Sequence, residues 1–126
     1  SGEFVWNLVS HNLADAMNRT AGTVEAQVDE FELAGLTKAE SQTVRAPRVA
    51  EALAALECRV DQFIPLKSSI ENRYNSMVIA TVTCAYVDDS MLKDGMFDTK
   101  NAQILARLGY QDYTMIDRVF PLQRPE

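Results

Sequence analysis

The stretch FVWNLVS, residues 4–10, lies close to the start of this 126-residue chain and has the composition of a buried strand. A strand this apolar needs neighbours on both edges and cover on both faces. Two arrangements would meet that need. Either the fold opens with an interior strand, or the partner strands precede Ser1.

Composition and charge are those of an ordinary globular domain. The chain is 47% hydrophobic and 24% charged, which is typical of folded proteins, and we expect one domain over residues 1–126. A net charge of −6 argues against nucleic acid as a partner. No apolar run is long enough to span a bilayer, so we expect no membrane association.

The cysteine and histidine content argues against a metal site. Cys58 and Cys84 both fall in strand-like runs, where cysteines are usually reduced core residues, and this favours a cytoplasmic location. His11 is the only histidine, and a position at a helix start predicts a solvated side chain. We therefore expect no structural metal.

Two short helices are predicted in the first third of the chain. The first begins at a cap on Ser10 or Asn12 and runs to about Asn18, with residues 19–27 as a loop. The second is DEFELAGL, residues 29–36, where an aspartate can cap the N-terminus and a glycine can take the left-handed position at the end.

Strands dominate the rest of the prediction. Residues 53–64 alternate with period two and end at Pro65, and residues 76–87 are apolar on both faces, which predicts a central strand. One or two helical turns are predicted over residues 101–108, and a last strand over residues 113–120. The fold class predicted is mainly β with short helices, either α+β or a β-barrel.

Three groups of polar side chains have both a functional and a structural interpretation. Asn7 either contacts a ligand or is a satisfied core amide. A charged row on the 53–64 strand is either an active carboxylate pair or, as we predict, a cross-strand ion-pair row at a solvent face or subunit interface. Tyrosines near strand ends either stack on an aromatic cofactor or pack. The charged row consists of Glu57, Arg59 and Asp61. The tyrosines are Tyr86, Tyr110 and Tyr113.

Several ordered motifs add a family resemblance. They are GEFVWNLVS (2–10), LADAMN (13–18), VDEFELAGLT (28–37), PRVAE (47–51) and ALEC (55–58). Their order and spacing resemble a flavin reductase-like family, which includes flavoredoxin-like proteins and the reductase components of nitrilotriacetate-type monooxygenases. The similarity runs from residue 2 to near residue 125.

The resemblance implies an FMN-binding split β-barrel, usually a homodimer with flavin near the subunit interface. The implied chemistry is hydride transfer from NAD(P)H to flavin, with reduced flavin passing to a partner oxygenase. Asn7, Asn18 and Tyr113 match the family pattern and are the expected cofactor-binding residues. No catalytic residue is assigned.

Three departures from the family pattern support an alternative. Family members have further strands before the segment that starts here, so we expect residues 1–126 to be the C-terminal two-thirds of the domain and the barrel to be incomplete at its N-terminus. The family often has histidine at the position of Tyr86, and two glycines where this chain has Arg107-Leu108-Gly109-Tyr110. The alternative is a non-catalytic, truncated split-barrel module that retains dimerisation or binds flavin without oxidising NAD(P)H.

Overall fold

The computed structural model describes residues 2–71 and 73–126, and over these residues the chain forms nine strands and two short α-helices. In chain order the elements are β1 (Glu3–Asn7), α1 (Ala14–Thr20), α2 (Glu30–Ala34), β2 (Lys38–Ala39), β3 (Arg48–Val49), β4 (Ala54–Leu66), β5 (Asn75–Val87), β6 (Leu92–Lys93), β7 (Met96–Phe97), β8 (Leu105–Arg107) and β9 (Tyr113–Met115). The predicted class, mainly β with short helices, is confirmed. None of the helices in the described part of the chain is long and apolar enough to cross a membrane.

The largest sheet has three antiparallel strands in the order β1, β4, β5. Phe4 lies opposite Cys58 and Trp6 lies opposite Leu56, so the opening stretch pairs with the middle of β4. The strands predicted over 4–9, 53–64 and 76–87 are therefore present. Their positions in the sheet differ from the prediction, because β4 is the central strand and, within the described residues, β1 and β5 are its two edges.

Apolar composition did not reveal which strand is central, because that depends on backbone pairing. Trp6 is 47% exposed and Val82 is 49% exposed, although both belong to strands with a buried-strand composition. Pro65 was predicted to end β4, yet the strand continues to Leu66. Proline is tolerated in a strand where its missing N–H would face an unpaired edge, and beyond Val60 one edge of β4 has no neighbour among the described residues.

Both predicted helices are present, with small shifts in their bounds. Asp29 accepts a hydrogen bond from the backbone N–H of Phe31 at 3.0 Å, and Gly35 ends α2 with φ 70°, as the capping pattern predicted. A 3-10 turn at His11–Leu13 precedes α1. The side chain of Ser10 bonds that of Asn12 rather than capping the helix, and α1 continues to Thr20, so the predicted loop begins two residues late.

The segment predicted as helical turns over residues 101–108 is instead a turn followed by strand β8. Gln103 has φ 48°, which a right-handed helix cannot accommodate. The backbone N–H of Leu105 donates to the carbonyl of Val9 at 2.9 Å, so this strand is stabilised by a distant part of the chain. The last strand, predicted over 113–120, stops at Met115.

The charged row on β4 was predicted to lie at a solvent face or a subunit interface. This is wrong for Glu57, which is 3% exposed and is buried by its own chain. Its carboxylate accepts hydrogen bonds from the backbone N–H of Gln42 at 2.8 Å and from the N–H and hydroxyl of Thr43, each at 2.6 Å. A register shift between Glu57 and Cys58 breaks the alternation of the strand, and the polar connector folds over this position. Arg59 and Asp61 are exposed, as predicted.

We predict that Glu57→Gln destabilises the protein by about 2 kcal/mol, because an amide nitrogen would replace one oxygen among three donors. Urea unfolding at neutral pH measures this loss. The matched control is Asp61→Asn, an exposed change on the same strand that should cost less than about 0.5 kcal/mol. Equal effects of the two variants would contradict a special role for Glu57.

The pH dependence of this difference follows from the pKa of Glu57. Burial raises that pKa, but hydrogen bonds from the Thr43 side chain and from the Gln42 and Thr43 backbone outweigh it, so the pKa lies below the ordinary glutamate value. A lowered folded-state pKa gives stability that is complete above the unfolded-state pKa and is lost as the pH falls through the folded value. The advantage of the wild type over Glu57→Gln should therefore shrink in acid.

Candidate functional site

A cleft of about 870 Å³ lies between α1 and the β8–β9 hairpin. Its volume falls within the range of roughly 300–1,000 Å³ that is common for small-molecule sites. It is lined by His11, Ala14, Asp15, Met17, Asn18, Ala21, Leu105, Arg107, Tyr110, Gln111, Tyr113, Thr114 and Met115.

One wall of the cleft is a face of the first helix. Ala14, Met17, Asn18 and Ala21 recur at spacings of three and four residues, which places their side chains on the same side of α1. Two of these residues are alanines, so the wall is open enough to admit a ligand. Asn18 is exposed and supplies an amide that can both donate and accept hydrogen bonds.

The opposite wall is one face of the hairpin. Arg107 pairs with Tyr113 and Leu105 pairs with Met115. These four side chains therefore lie on the same face of the hairpin, and that face lines the cleft. The backbone N–H of His11 donates to the carbonyl of Gln103 at 2.9 Å. This bond and the one from Leu105 to Val9 fix the hairpin against the start of the helical wall.

The cleft lining offers an aromatic ring and a cation to a planar, negatively charged ligand, and it also contains one carboxylate, that of Asp15. Tyr113 is 41% exposed and presents an aromatic ring for stacking. Beside it, the guanidinium of Arg107 can form bidentate hydrogen bonds to a phosphate or carboxylate. Asn18 and His11 add groups that can hydrogen-bond the edge of a heterocycle. The donor set therefore fits a flavin nucleotide.

A second, mainly apolar cavity of about 400 Å³ lies between β1, the two helices and β3. Asn7 lines this cavity and does not line the cleft. The amide oxygen of Asn7 accepts a hydrogen bond from the backbone N–H of Val49 at 2.9 Å, and its nitrogen donates to the carbonyl of Val5 at 3.3 Å. Asn7 thus links β1 to β3.

The three residues expected to bind cofactor are therefore divided. Asn18 and Tyr113 meet in the cleft, whereas Asn7 lies in the apolar cavity with its amide engaged by the backbone. The role of each in cofactor binding stays a prediction. Sequence reasoning missed Arg107, because a helix was predicted there and the cross-strand pairing with Tyr113 was not visible.

Tyr86 lies outside the cleft and has a different environment. The guanidinium of Arg48 lies 3.7 Å from the centre of its ring, so one ring face is covered by a protein cation. Hydrogen bonds from the Ser90 hydroxyl and backbone N–H, with a smaller contribution from Tyr86 itself, lower the pKa of the neighbouring Asp88. Within the described residues, no cluster of histidine, cysteine, aspartate and glutamate side chains is placed to hold a metal ion.

The sequence model of the flavin reductase like domain matches residues 1–111, which is most of the chain. The chain belongs to this family. The mainly-β fold agrees with the split barrel that the resemblance implied.

Individual similar proteins match nearly the whole of this chain. An uncharacterized protein of Halalkalibacterium halodurans is 32% identical over 124 residues, which is 98% of this chain and 59% of the relative. The crystal structure of nitrilotriacetate monooxygenase component B from Bacillus cereus superimposes with a TM-score of 0.87 at 28% identity, covering 96% of this chain and 60% of that one.

A split barrel domain from Shewanella frigidimarina superimposes with a TM-score of 0.84 at 24% identity, covering 99% of this chain and 62% of that one. At this identity the likeness concerns the fold, and it confirms the predicted split-barrel class. The chain spans about three-fifths of the length of each of these proteins.

We predict that Asn7→Ala destabilises the protein by about 1–2 kcal/mol, because the part-buried N–H of Val49 would lose its acceptor. Urea unfolding checks this value. Asn75→Ala, at an exposed position of β5, is the matched control and should stay within about 0.5 kcal/mol of the wild type. An unchanged stability of Asn7→Ala would rule out the structural role described here.

Proposed function

We propose that this protein binds FMN in the cleft between α1 and the β8–β9 hairpin and catalyses hydride transfer from NAD(P)H to the flavin. The observation that carries the proposal is the cross-strand pair of Arg107 and Tyr113, which shares the cleft with Asn18 in a chain of the flavin reductase-like family.

Each of these side chains has a distinct task in the proposal. The ring of Tyr113 packs on the flavin ring system, and the amide of Asn18 hydrogen-bonds its polar edge. The guanidinium of Arg107 binds the phosphate by charge-assisted hydrogen bonds. When bound, FMN would accept a hydride from NAD(P)H and a proton from solvent, which yields reduced flavin and NAD(P)⁺.

The proposed acceptor of the reduced flavin is a partner oxygenase. Support comes from the similar protein of Bacillus cereus, which is a component of a monooxygenase. Free thiols at Cys58 and Cys84 support a reducing, cytoplasmic location for this exchange.

We propose further that the protein is a homodimer that buries the exposed apolar side chains of β5 and its neighbour β4. Val78 and Val82 lie on one face of β5 and are 41% and 49% exposed, and Phe63, which pairs with Val78 on the same face, is 67% exposed. Contiguous apolar side chains on a sheet surface are typical of a protein interface.

Titration of the full-length protein with FMN, followed by flavin fluorescence, tests cofactor binding. Consumption of NADH or NADPH in the presence of FMN, followed by nicotinamide absorbance, tests the reaction. Flavin binding without nicotinamide oxidation would instead favour a flavin-binding module that transfers or stores electrons. A full-length protein that neither binds FMN nor oxidises NAD(P)H would refute the proposal.

We predict that Tyr113→Ala weakens FMN binding about tenfold, because the loss of an aromatic contact costs roughly 0.5–1.5 kcal/mol beyond the lost area. Fluorescence titration measures the change. Tyr74→Ala is the matched control, since Tyr74 is 93% exposed and lies outside the cleft lining. FMN affinities that fall equally in the two variants would argue against the cleft as the binding site.

We predict that Val82→Lys shifts the protein from dimer to monomer, because a charge on the apolar face that Val82 shares with Phe63 and Val78 cannot be desolvated without a partner. Sedimentation velocity measures the shift. Ser76→Lys places the same charge at an exposed polar position near the end of β5 and should leave the dimer intact. A wild-type protein that sediments as a monomer would refute the dimer.

A further inference from the structure

The loop between β8 and β9 holds one residue in an unfavourable backbone conformation. Tyr110 has φ 59°, in the left-handed region. The backbone N–H of Leu108 donates to the carbonyl of Asp112 at 2.9 Å, and the N–H of Asp112 donates to the carbonyl of Gly109 at 3.1 Å. These two bonds close the loop around Tyr110 and fix its conformation.

A tyrosine is poorly suited to this position. Glycine, asparagine and aspartate adopt left-handed backbone angles most readily, whereas a bulky side chain there is uncommon. Asp94, which also has a positive φ, lies in an Asp-Gly hairpin turn where such a residue is expected. Three non-glycine residues of the described chain have a positive φ, namely Asp94, Gln103 and Tyr110, and Tyr110 is the aromatic one.

The side chain of Tyr110 gains little from the rest of the protein in compensation. It is 95% exposed, so its ring makes almost no packing contact that would offset the backbone strain. Tyr110 is nevertheless one of the residues that line the cleft, three residues before Tyr113. The packing of the ring therefore does not offset the backbone strain at Tyr110. Uncompensated strain at the rim of a binding site indicates a role in function.

We infer that Tyr110 is a binding residue that covers the outer face of the aromatic ring held in the cleft, while Tyr113 on β9 forms part of the wall. The inference rests on the flavin binding proposed above and names the ligand class it recognises, a planar aromatic heterocycle. A bound ring removes the exposed phenol from water and adds a ring–ring contact. Because the loop backbone is already fixed, little conformational entropy is lost when the ring docks.

The test compares FMN affinity and ligand-free stability in the full-length wild type and three variants. Tyr110→Gly removes the ring and relieves the strain, and Tyr110→Phe keeps the ring. Tyr74→Gly makes the same chemical change at a side chain that is 93% exposed and outside the cleft lining. Fluorescence titration gives the dissociation constant, and thermal unfolding followed by circular dichroism gives the melting temperature.

We expect Tyr110→Gly to weaken FMN binding about three- to tenfold, with a melting temperature in the absence of ligand that is equal to or above that of the wild type. Tyr110→Phe should bind within about twofold of the wild type, and so should Tyr74→Gly. The fluorescence of bound FMN should rise in Tyr110→Gly, because a stacked tyrosine quenches flavin emission.

The two proposals fail in distinguishable ways. A wild type that binds FMN together with a Tyr110→Gly variant of equal affinity would overturn the role of Tyr110 and leave the proposed function standing. A Tyr110→Gly variant that loses both affinity and ligand-free stability would show a structural role and overturn the inference. A full-length wild type that binds no FMN would overturn both.

Discussion

Two backbone hydrogen bonds hold together the parts of this protein on which its cleft depends. His11 donates to the carbonyl of Gln103, and Leu105 donates to the carbonyl of Val9, so a segment near the start of the chain is fixed to one near its end. The helix that follows His11 and the hairpin that follows Gln103 then become the two walls of one site. Without this long-range pairing, Asn18 and Tyr113 would not line the same cleft.

A buried carboxylate has a comparable role in the three-stranded sheet. Glu57 takes three hydrogen bonds from Gln42 and Thr43 and so holds the polar connector against β4. A buried carboxylate is stable only when its oxygens are satisfied, and the donors here come mostly from a backbone that lacks partners of its own in a regular sheet. The connector and the strand therefore stabilise each other.

The cleft combines a rigid frame with exposed chemical groups. Its walls are regular elements, whereas the groups available to a ligand are largely solvent-facing side chains such as Arg107 and Tyr113. Side chains held on fixed backbone lose little freedom on binding, which favours affinity. This arrangement suits a protein whose cofactor carries the redox chemistry and whose own residues supply orientation and charge.

The sequence by itself determined the main strands, the capped helix that ends at Gly35 and the family, because each rests on local periodicity, capping chemistry or ordered motifs. Only the tertiary structure decided that Glu57 is buried, that β4 is the central strand, that residues 105–107 form a strand and that Arg107 lies beside Tyr113. The physical reason is that burial and strand pairing depend on which distant segments supply the hydrogen-bond partners. A local pattern of polar and apolar residues does not contain that information.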